Sequence, residues 1–544
     1  MTANGHQTQQ GDKESVEPGY ADASKVGSPY ARYVLFVLVL IYTFNFVDRQ
    51  ILSILANDIK ADLGISDAEI GFLYGTAFAV FYAIFGIPFG RLSDVWVRRR
   101  IIAYGLGFWS LMTALSGTAR SFAMLAVYRF GVGIGEASAS PAAFCMLADY
   151  FKPSQRATVM AIYSSGVYIG GGVAYLVGGP VLDGWNNAFP DPATAPFGLR
   201  GWHVAFMVVG LPGLLMAFWA HRLKEPIRGM SEAVPKARPQ HPHPFRATFN
   251  EFLAIFPIIN LVHLAAGKAS RKMLAGNVLG GLVIALLAFG MYRWLGNLIQ
   301  WTALGIGLYC AFTWSQSLAL RSPDVFSMIF HSPTIMLTIL AFPMMALVSY
   351  GTGFWIIPYV LRAHQVSATE VGIVMGLSAA IGGLSGVAFG GWLADRFRRR
   401  WEAGRLYVGL ISVAGAVPTG LAILHAESLL AIYVCYFLFL FFKPMYLGPA
   451  TATVNDLVLP QMRGTVTALF LLAMTFIGLA LGPYLMGSIS TRLAKGGMDG
   501  VEALRLGIEA PFLFYGLAGV LVLIACKTIK NDHQRVKDIT AAEV

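Results

Sequence analysis

A helix rising 1.5 Å per residue needs about 20 consecutive apolar residues to cross roughly 30 Å of hydrocarbon. This chain supplies such runs one after another. Six lie in the first half, at Tyr33 to Ala56, Glu69 to Leu92, Ile101 to Thr118, Phe122 to Tyr150, Ala157 to Leu182 and Val204 to His221. Six lie in the second half, at Thr334 to Leu361, Glu370 to Ala394, Leu406 to Leu424, Leu429 to Leu457, Thr465 to Ile489 and Pro511 to Cys526. Leu274 to Tyr292 and Leu298 to Leu320 add a pair between them, for an expected fourteen spans. Composition excludes a soluble alternative: the 544 residues are 56% apolar and 13% charged, against roughly 25% charged in globular chains. The fold class is an all-α polytopic membrane protein.

An even-numbered insert leaves both halves in the same orientation. Arg98, Arg99, Arg100, Lys152, Arg156, Lys224, Arg398, Arg399, Arg400 and Arg463 then share one side, which the positive-inside rule makes cytoplasmic. The net charge of +11 is thereby assigned to loops rather than to nucleic-acid binding. The expected organisation is a disordered cytoplasmic tail (1–30), a six-helix bundle (31–222), a cytoplasmic linker (223–273), an inserted two-helix hairpin (274–320), a second six-helix bundle (321–529) and a cytoplasmic tail (530–544). Within the linker, Phe245, Phe249, Phe252, Phe256 and Ile259 recur at helical spacing, with Pro257 as a kink, predicting an amphipathic helix on the membrane surface. His241-Pro-His243-Pro reads as linker. Cys145, Cys310, Cys435 and Cys526 lie far apart in apolar runs and signal neither disulfides nor a metal site.

The two halves repeat. Gly90-Arg-Leu-Ser-Asp94 matches Gly391-Trp-Leu-Ala-Asp395 at an offset of 301, and each is followed by three arginines, Arg98-Arg-Arg100 and Arg398-Arg399-Arg400. Pro153-Ser-Gln-Arg156-Ala-Thr158 matches Pro460-Gln-Met-Arg463-Gly-Thr465 at an offset of 307. The Gly-x-x-x-Asp loop with trailing basic residues resembles the signature of the major facilitator superfamily, here present twice. The resemblance implies two six-helix bundles around a central cavity, with alternating access by rocking of one bundle against the other. Fourteen helices depart from the family's usual twelve; in related members the extra pair is peripheral to the pore. On physical grounds Asp94 and Asp395, at matched helix ends, suit a gating latch formed when the cytoplasmic side closes, with Gly90, Arg98, Gly391 and Arg399 in the same motif. Topology alone is the other reading of these arginines.

Within the superfamily, Asn45-Phe-Val-Asp48-Arg49 and Arg129-Phe-Gly-Val-Gly-Ile-Gly135-Glu136 resemble the spinster family and its bacterial relatives. That resemblance implies transport of lysolipids, sphingolipids or related amphiphiles. The residues also carry their own argument. An ionised side chain deep in an apolar run costs at least about 2.5 to 3.5 kcal/mol unless paired or hydrated. Arg129 and Glu136 share one face of the fourth span, two turns apart, and Asp48 is a natural cross-helix partner for Arg129. A carboxyl that exchanges an arginine partner between two conformations binds and releases a proton. Asp48 and Glu136 are therefore the expected proton-linked groups, with Arg129 as counter-charge; a static salt-bridge network is the alternative.

Candidate substrate contacts are Asn45, Arg49, Tyr74, Phe78, Tyr350, Trp355 and Lys443. Lys443 is a lone cation in the tenth helix of the twelve-helix scheme, placed either to bind a carboxylate or phosphate or to snorkel to the interface. Glycine-rich stretches such as Gly166-x-x-x-Gly170 and Gly382-x-x-x-Gly386 read first as close helix packing. No HExxH, Walker loop or GxSxG occurs, so no enzyme activity and no cofactor are expected.

The expected function is secondary active transport driven by a proton gradient, sodium being the other coupling ion open. The substrate is an amphipathic or anionic metabolite, with inward symport of a small organic or sugar acid as the alternative and a non-transporting receptor as a distant one. The expected partners are that small-molecule or lipid substrate and the bilayer. The expected setting is a monomer in the inner membrane with both termini cytoplasmic.

Overall fold

The computed structural model describes residues 20–21, 23–231, 242–256, 259, 261–262, 270–321, 323–459 and 462–543. His241, Pro257, Pro460, Gln461 and residues 1–19 of the expected tail lie outside the described residues.

The first bundle comprises α1 (Pro29–Leu63), α2 (Asp67–Val95), α3 (Arg98–Ser116), α4 (Phe122–Tyr150), α5 (Thr158–Ala188) and α6 (Gly201–His221). A short helix α7 (Pro244–Ile255) precedes the hairpin α8 (Arg271–Leu295) and α9 (Leu298–Arg321). After α10 (Pro323–Phe330), the second bundle comprises α11 (Pro333–His364), α12 (Ala368–Arg398), α13 (Gly404–His425), α14 (Leu429–Asp456), α15 (Arg463–Lys495) and α16 (Gly500–Ile539). Serines set many of the starts: Ser28, Ser66, Ser121, Ser270, Ser332 and Ser367 each accept a hydrogen bond from a backbone N–H in the first turn. Thirteen described helices are long and apolar enough to cross a bilayer. The remaining expected span, α3, is 19 residues long and opens on Arg98, Arg99 and Arg100, which dilute its apolar stretch.

Tyr20 and Ala21 pair in parallel with Glu225 and Pro226, which ties the segment before α1 to the segment after α6. At the other end the last helix runs on to Glu543. Asp532, buried, accepts from Ser332 Oγ at 2.8 Å and Thr334 N at 2.9 Å, capping α11. α7 has 12 residues, too few to span, and lays Phe252 against Phe85 and Phe245 against Trp96 with ring centroids 5.1 and 4.9 Å apart.

The internal repeat is physical as well as textual. Arg156 Nε donates to the Ala148 carbonyl at 3.1 Å, and Arg463 Nε donates to the Asn455 carbonyl at 3.2 Å, each partner 307 residues after its counterpart. Arg98 Nη1 meets Asp149 at 2.5 Å, while Asp456, the repeat-mate of Asp149, meets Arg405 and, at 3.8 Å, Arg398. Arg399, which the 301-residue offset matched to Arg98, is instead exposed; the clamp is one residue out of register in the second half.

The hairpin lies across the seam between α2 and α15. Gly307 of α9 faces both Val80 and Phe476, and Trp301 packs edge-on to Tyr484 at 5.7 Å. Its two helices are joined internally by polar groups: Asn277 donates to Gln316 at 2.5 Å and accepts from Tyr309 at 2.8 Å, the kind of bond that holds helices together in lipid.

On the opposite seam α5 and α12 cross with their backbones nearly touching. A Cβ on Gly376 would lie 2.8 Å from the Gly172 carbonyl, so that glycine is required for the approach. Gly90, by contrast, has open space around it. Gly376→Leu should lower the thermal unfolding temperature of the purified protein by several degrees, for an overpacking cost of about 1–3 kcal/mol. Gly90→Ala should not; equal losses in both would contradict this reading of the crossing.

Candidate functional site

Four buried charged side chains cluster in the middle of the first bundle: Asp48 and Arg49 on α1, Arg129 and Glu136 on α4. They form one ion pair. Arg49 Nη2 donates to Glu136 Oε2 at 2.7 Å, and the guanidinium lies over the rings of Phe46, Phe78 and Tyr82 at 4.6, 4.1 and 5.6 Å. Phe78 and Tyr82 stack on each other 5.4 Å apart, as their four-residue spacing on α2 allows. Asn45, one turn before Arg49, lies against Glu136.

The expected Asp48–Arg129 ion pair does not form. Arg129 Nη1 donates instead to the main-chain carbonyl of Asp48 at 3.0 Å, leaving its Nε and Nη2 without partners among the described residues. The Asp48 carboxylate turns toward α3, where Thr113 and Trp109 approach it without reaching hydrogen-bond geometry. Adjacent residues on a helix project about 100° apart, so Asp48 and Arg49 face different neighbours. α4 breaks directly after Glu136 and resumes at Ala139 for the twelve residues to Tyr150.

Beside this cluster lies a cavity of about 520 Å3 lined by α1, α2, α5, α11, α12 and α14. Of the sequence-predicted contacts, Tyr74, Tyr350 and Lys443 line it. Asn45, Arg49 and Phe78 sit behind its wall in the charge cluster, and Trp355 donates its indole N–H to the Pro483 carbonyl at 2.7 Å, joining α11 to α15. Lys443 stands 307 residues after Glu136, making the two charges repeat-mates, and α14 also breaks there, at Lys443-Pro444. Proline there cannot donate to the helix ladder.

The cavity floor is a polar clasp between the bundles, of which Tyr74 alone was among the sequence-predicted contacts. Gln50 Nε2 donates to the Gly353 carbonyl at 2.8 Å and to the Tyr175 hydroxyl, while its Oε1 accepts from Tyr74 at 2.7 Å. From there outward the contacts continue: Ser53 Oγ to the Phe354 carbonyl at 2.6 Å, Asn57 Nδ2 to the Pro358 carbonyl at 3.1 Å, and a bidentate pair from Arg362 to Asp67 at 2.8 and 3.1 Å. Asp67 also receives Lys60 at 2.9 Å and Ser490 at 2.8 Å. It stands in the first turn of α2, fixed there by the Ser66–Glu69 capping box.

These contacts close the end of the molecule away from Arg98 and Arg398. Toward the arginine end, the cavity lining continues through Ser164, Val387 and Leu447. There Asp94 and Asp395 are exposed, and a Cβ on Gly90 or Gly391 would meet nothing. Arg98 is held by Asp149, by Glu225 at 2.7 Å and by the Pro226 carbonyl at 2.8 Å, and Arg398 meets Asp456 at 3.8 Å and His533 Nε2 at 3.1 Å, all on the side of its own half of the chain. The expected Asp94 and Asp395 contacts are therefore not made where the bundles stand apart.

Two bundles related by an internal repeat, closed at one end over a central cavity, are the architecture of a membrane transporter. The chain matches the Major Facilitator Superfamily model over residues 38–483 and 337–543, and it belongs to that family. It is 24% identical over 493 residues to an MFS-type efflux pump of Mycolicibacterium smegmatis, covering 91% of each chain. It is 25% identical over 562 residues to protein spinster homolog 1 of Xenopus tropicalis, covering 98% of this chain and 88% of that one. Over 36% of its length it is 31% identical to a probable galactarate/D-glucarate transporter of Bacillus subtilis, of which that covers 41%. A bacterial homolog of the human lysosomal transporter Spinster, in an inward-facing and unoccupied conformation, superposes with a TM-score of 0.69 at 25% identity, over 93% of this chain and 98% of that one.

Removing one partner of a buried ion pair costs about 3–5 kcal/mol, so Arg362→Gln should shift the protein toward the state open at the Asp67 end. With the native cysteines replaced, a cysteine at Ser349 should be labelled from that side by an impermeant maleimide about tenfold faster or more in Arg362→Gln. Unchanged labelling would show that Asp67–Arg362 does not hold that end shut.

Proposed function

We propose that the protein is a proton-coupled secondary transporter that works by alternating access and moves an amphipathic or anionic metabolite. The observation that carries this reading is the charge cluster: four buried charges, one ion pair, and an Asp48 carboxylate that Thr113 and Trp109 approach but that has no hydrogen-bond partner among the described residues, beside a half-satisfied Arg129. Static structures pair their buried charges, because an unpaired one is expensive in a low-dielectric interior. A cluster left short of partners is suited to exchanging them, with a proton taking the place of a lost arginine. Two exchanges are open to it: Arg49 leaving Glu136, and Arg129 turning from the Asp48 carbonyl to its carboxylate.

The arginine-rich end is cytoplasmic on the positive-inside rule, so the conformation described here is open inward, in an inner membrane with both termini inside. Phe46 connects the cluster to the cavity, since it lines the cavity and also lies against Arg49. A substrate pressing on that ring is felt by the Arg49–Glu136 pair. Asp94 and Asp395 are then latches for the opposite, outward-open state, in which the cytoplasmic ends of the bundles meet.

Reconstituted in liposomes containing a pH dye, the wild-type protein should move protons when its substrate is supplied on one side. Asp48→Asn and Glu136→Gln should each reduce substrate-driven proton flux by about a hundredfold or more, the loss expected for a group taking part in an obligatory proton transfer. Substrate moving equally well in both variants without proton flux would make the cluster structural and overturn the mechanism.

A further inference from the structure

Resting on that reading of the cavity as the substrate site, we infer that the cavity selects a molecule with a single anionic group on an apolar or aromatic body. It takes the anion on Lys443 and excludes dianions and neutral analogues.

The argument is a charge count. Lys443 is the one charged side chain among the described residues lining the cavity. The arginines that make the neighbourhood look polycationic in sequence are withdrawn: Arg49 is spent on Glu136 and three aromatic rings, and Arg129 lies on the Asp48 backbone. Among the described residues Lys443 Nζ makes one hydrogen bond, to the Ser349 carbonyl at 3.3 Å, and lies 5.3 Å from the Phe439 ring centroid. An ammonium has three donors, so two remain for a ligand.

The space beside it is kept clear. A Cβ on Gly353 would come within 3.3 Å of Nζ. The rest of the lining is aromatic, with Tyr42, Tyr74, Tyr168, Tyr175, Tyr350 and Tyr436 among its walls. The hydroxyls of Tyr74 and Tyr175 are committed to the Gln50 clasp, so these residues offer ring surface rather than a polar tip. One cation in such a cavity compensates one negative charge. A dicarboxylate would bring a second with no second cation in the lining to meet it, at a desolvation cost its Coulomb attraction does not return. A volume of about 520 Å3 falls within the range of sites for drug-sized molecules. Binding also has a route to the gate, because Gly353, against which Nζ sits, is the residue whose carbonyl Gln50 and Tyr175 hold across the bundle interface.

The test uses the full chain in nanodiscs and three rigid, non-permeant or neutral probes of one shape: naphthalene-2-sulfonate, naphthalene-2,6-disulfonate and 2-naphthamide. Titration calorimetry should give naphthalene-2-sulfonate a Kd about tenfold or more below those of the other two. In Lys443→Gln that preference should vanish while 2-naphthamide binds as in wild type, which also shows that the variant is folded. Two results would overturn the inference: the disulfonate or the amide binding as tightly as the monosulfonate, or the preference surviving in Lys443→Gln. The transport reading fails separately. If the monosulfonate preference holds and depends on Lys443, yet no probe moves protons in liposomes, charge selection stands and the coupling mechanism falls.

Discussion

Bilayer hydrocarbon offers no water to a stranded charge, and the first bundle is organised around that constraint. Arg49 survives there because it has both a carboxylate and three aromatic faces to sit against. Arg129 and Asp48 are less well provided for, sharing a backbone carbonyl in place of an ion pair. Around them α3 contributes further buried polar atoms without hydrogen-bond partners among the described residues, on Trp109, Ser110 and Thr113. Such a deficit is costly in a structure with one resting state. In a protein that alternates between two states, it is the means by which a proton becomes part of the balance.

The repeat gives the two halves the same scaffold and different chemistry. The Arg156 and Arg463 clamps bond equivalent carbonyls, and α4 and α14 break at equivalent points. At those breaks the first half carries Glu136 and the second carries Lys443. The acid faces the charge cluster and the base faces the cavity, so on the proposed function proton handling and anion binding would fall to repeat-related positions in opposite bundles. The clasp at Gln50, Tyr175 and Gly353 lies between them.

Much of this was legible in the sequence because it rests on period and length. Apolar runs of membrane length located the thirteen helices long and apolar enough to span, and α3 besides, and the duplicated loop identified the two-bundle architecture. The residues of the cluster were also visible, since charges deep in apolar runs need a reason. Their pairing was not. Whether Arg129 meets the carboxylate of Asp48 or its carbonyl depends on helix rotation and a few ångströms of axial shift, neither of which spacing encodes. The Asp67–Arg362 gate was hidden for a different reason: both residues stand near helix ends, where charges are ordinary, and 295 positions separate them. The cavity had a faint signal, in tyrosines scattered over α1, α2, α5, α11 and α14, but they share a wall only once the bundles are folded.

The most direct test of proton exchange by the buried cluster is to count protons as a ligand binds. In weakly buffered solution containing the purified protein and a pH indicator, saturating naphthalene-2-sulfonate should cause a stoichiometric uptake or release of protons that is absent in Asp48→Asn. Binding without any proton exchange, or the same exchange in Asp48→Asn, would contradict the account.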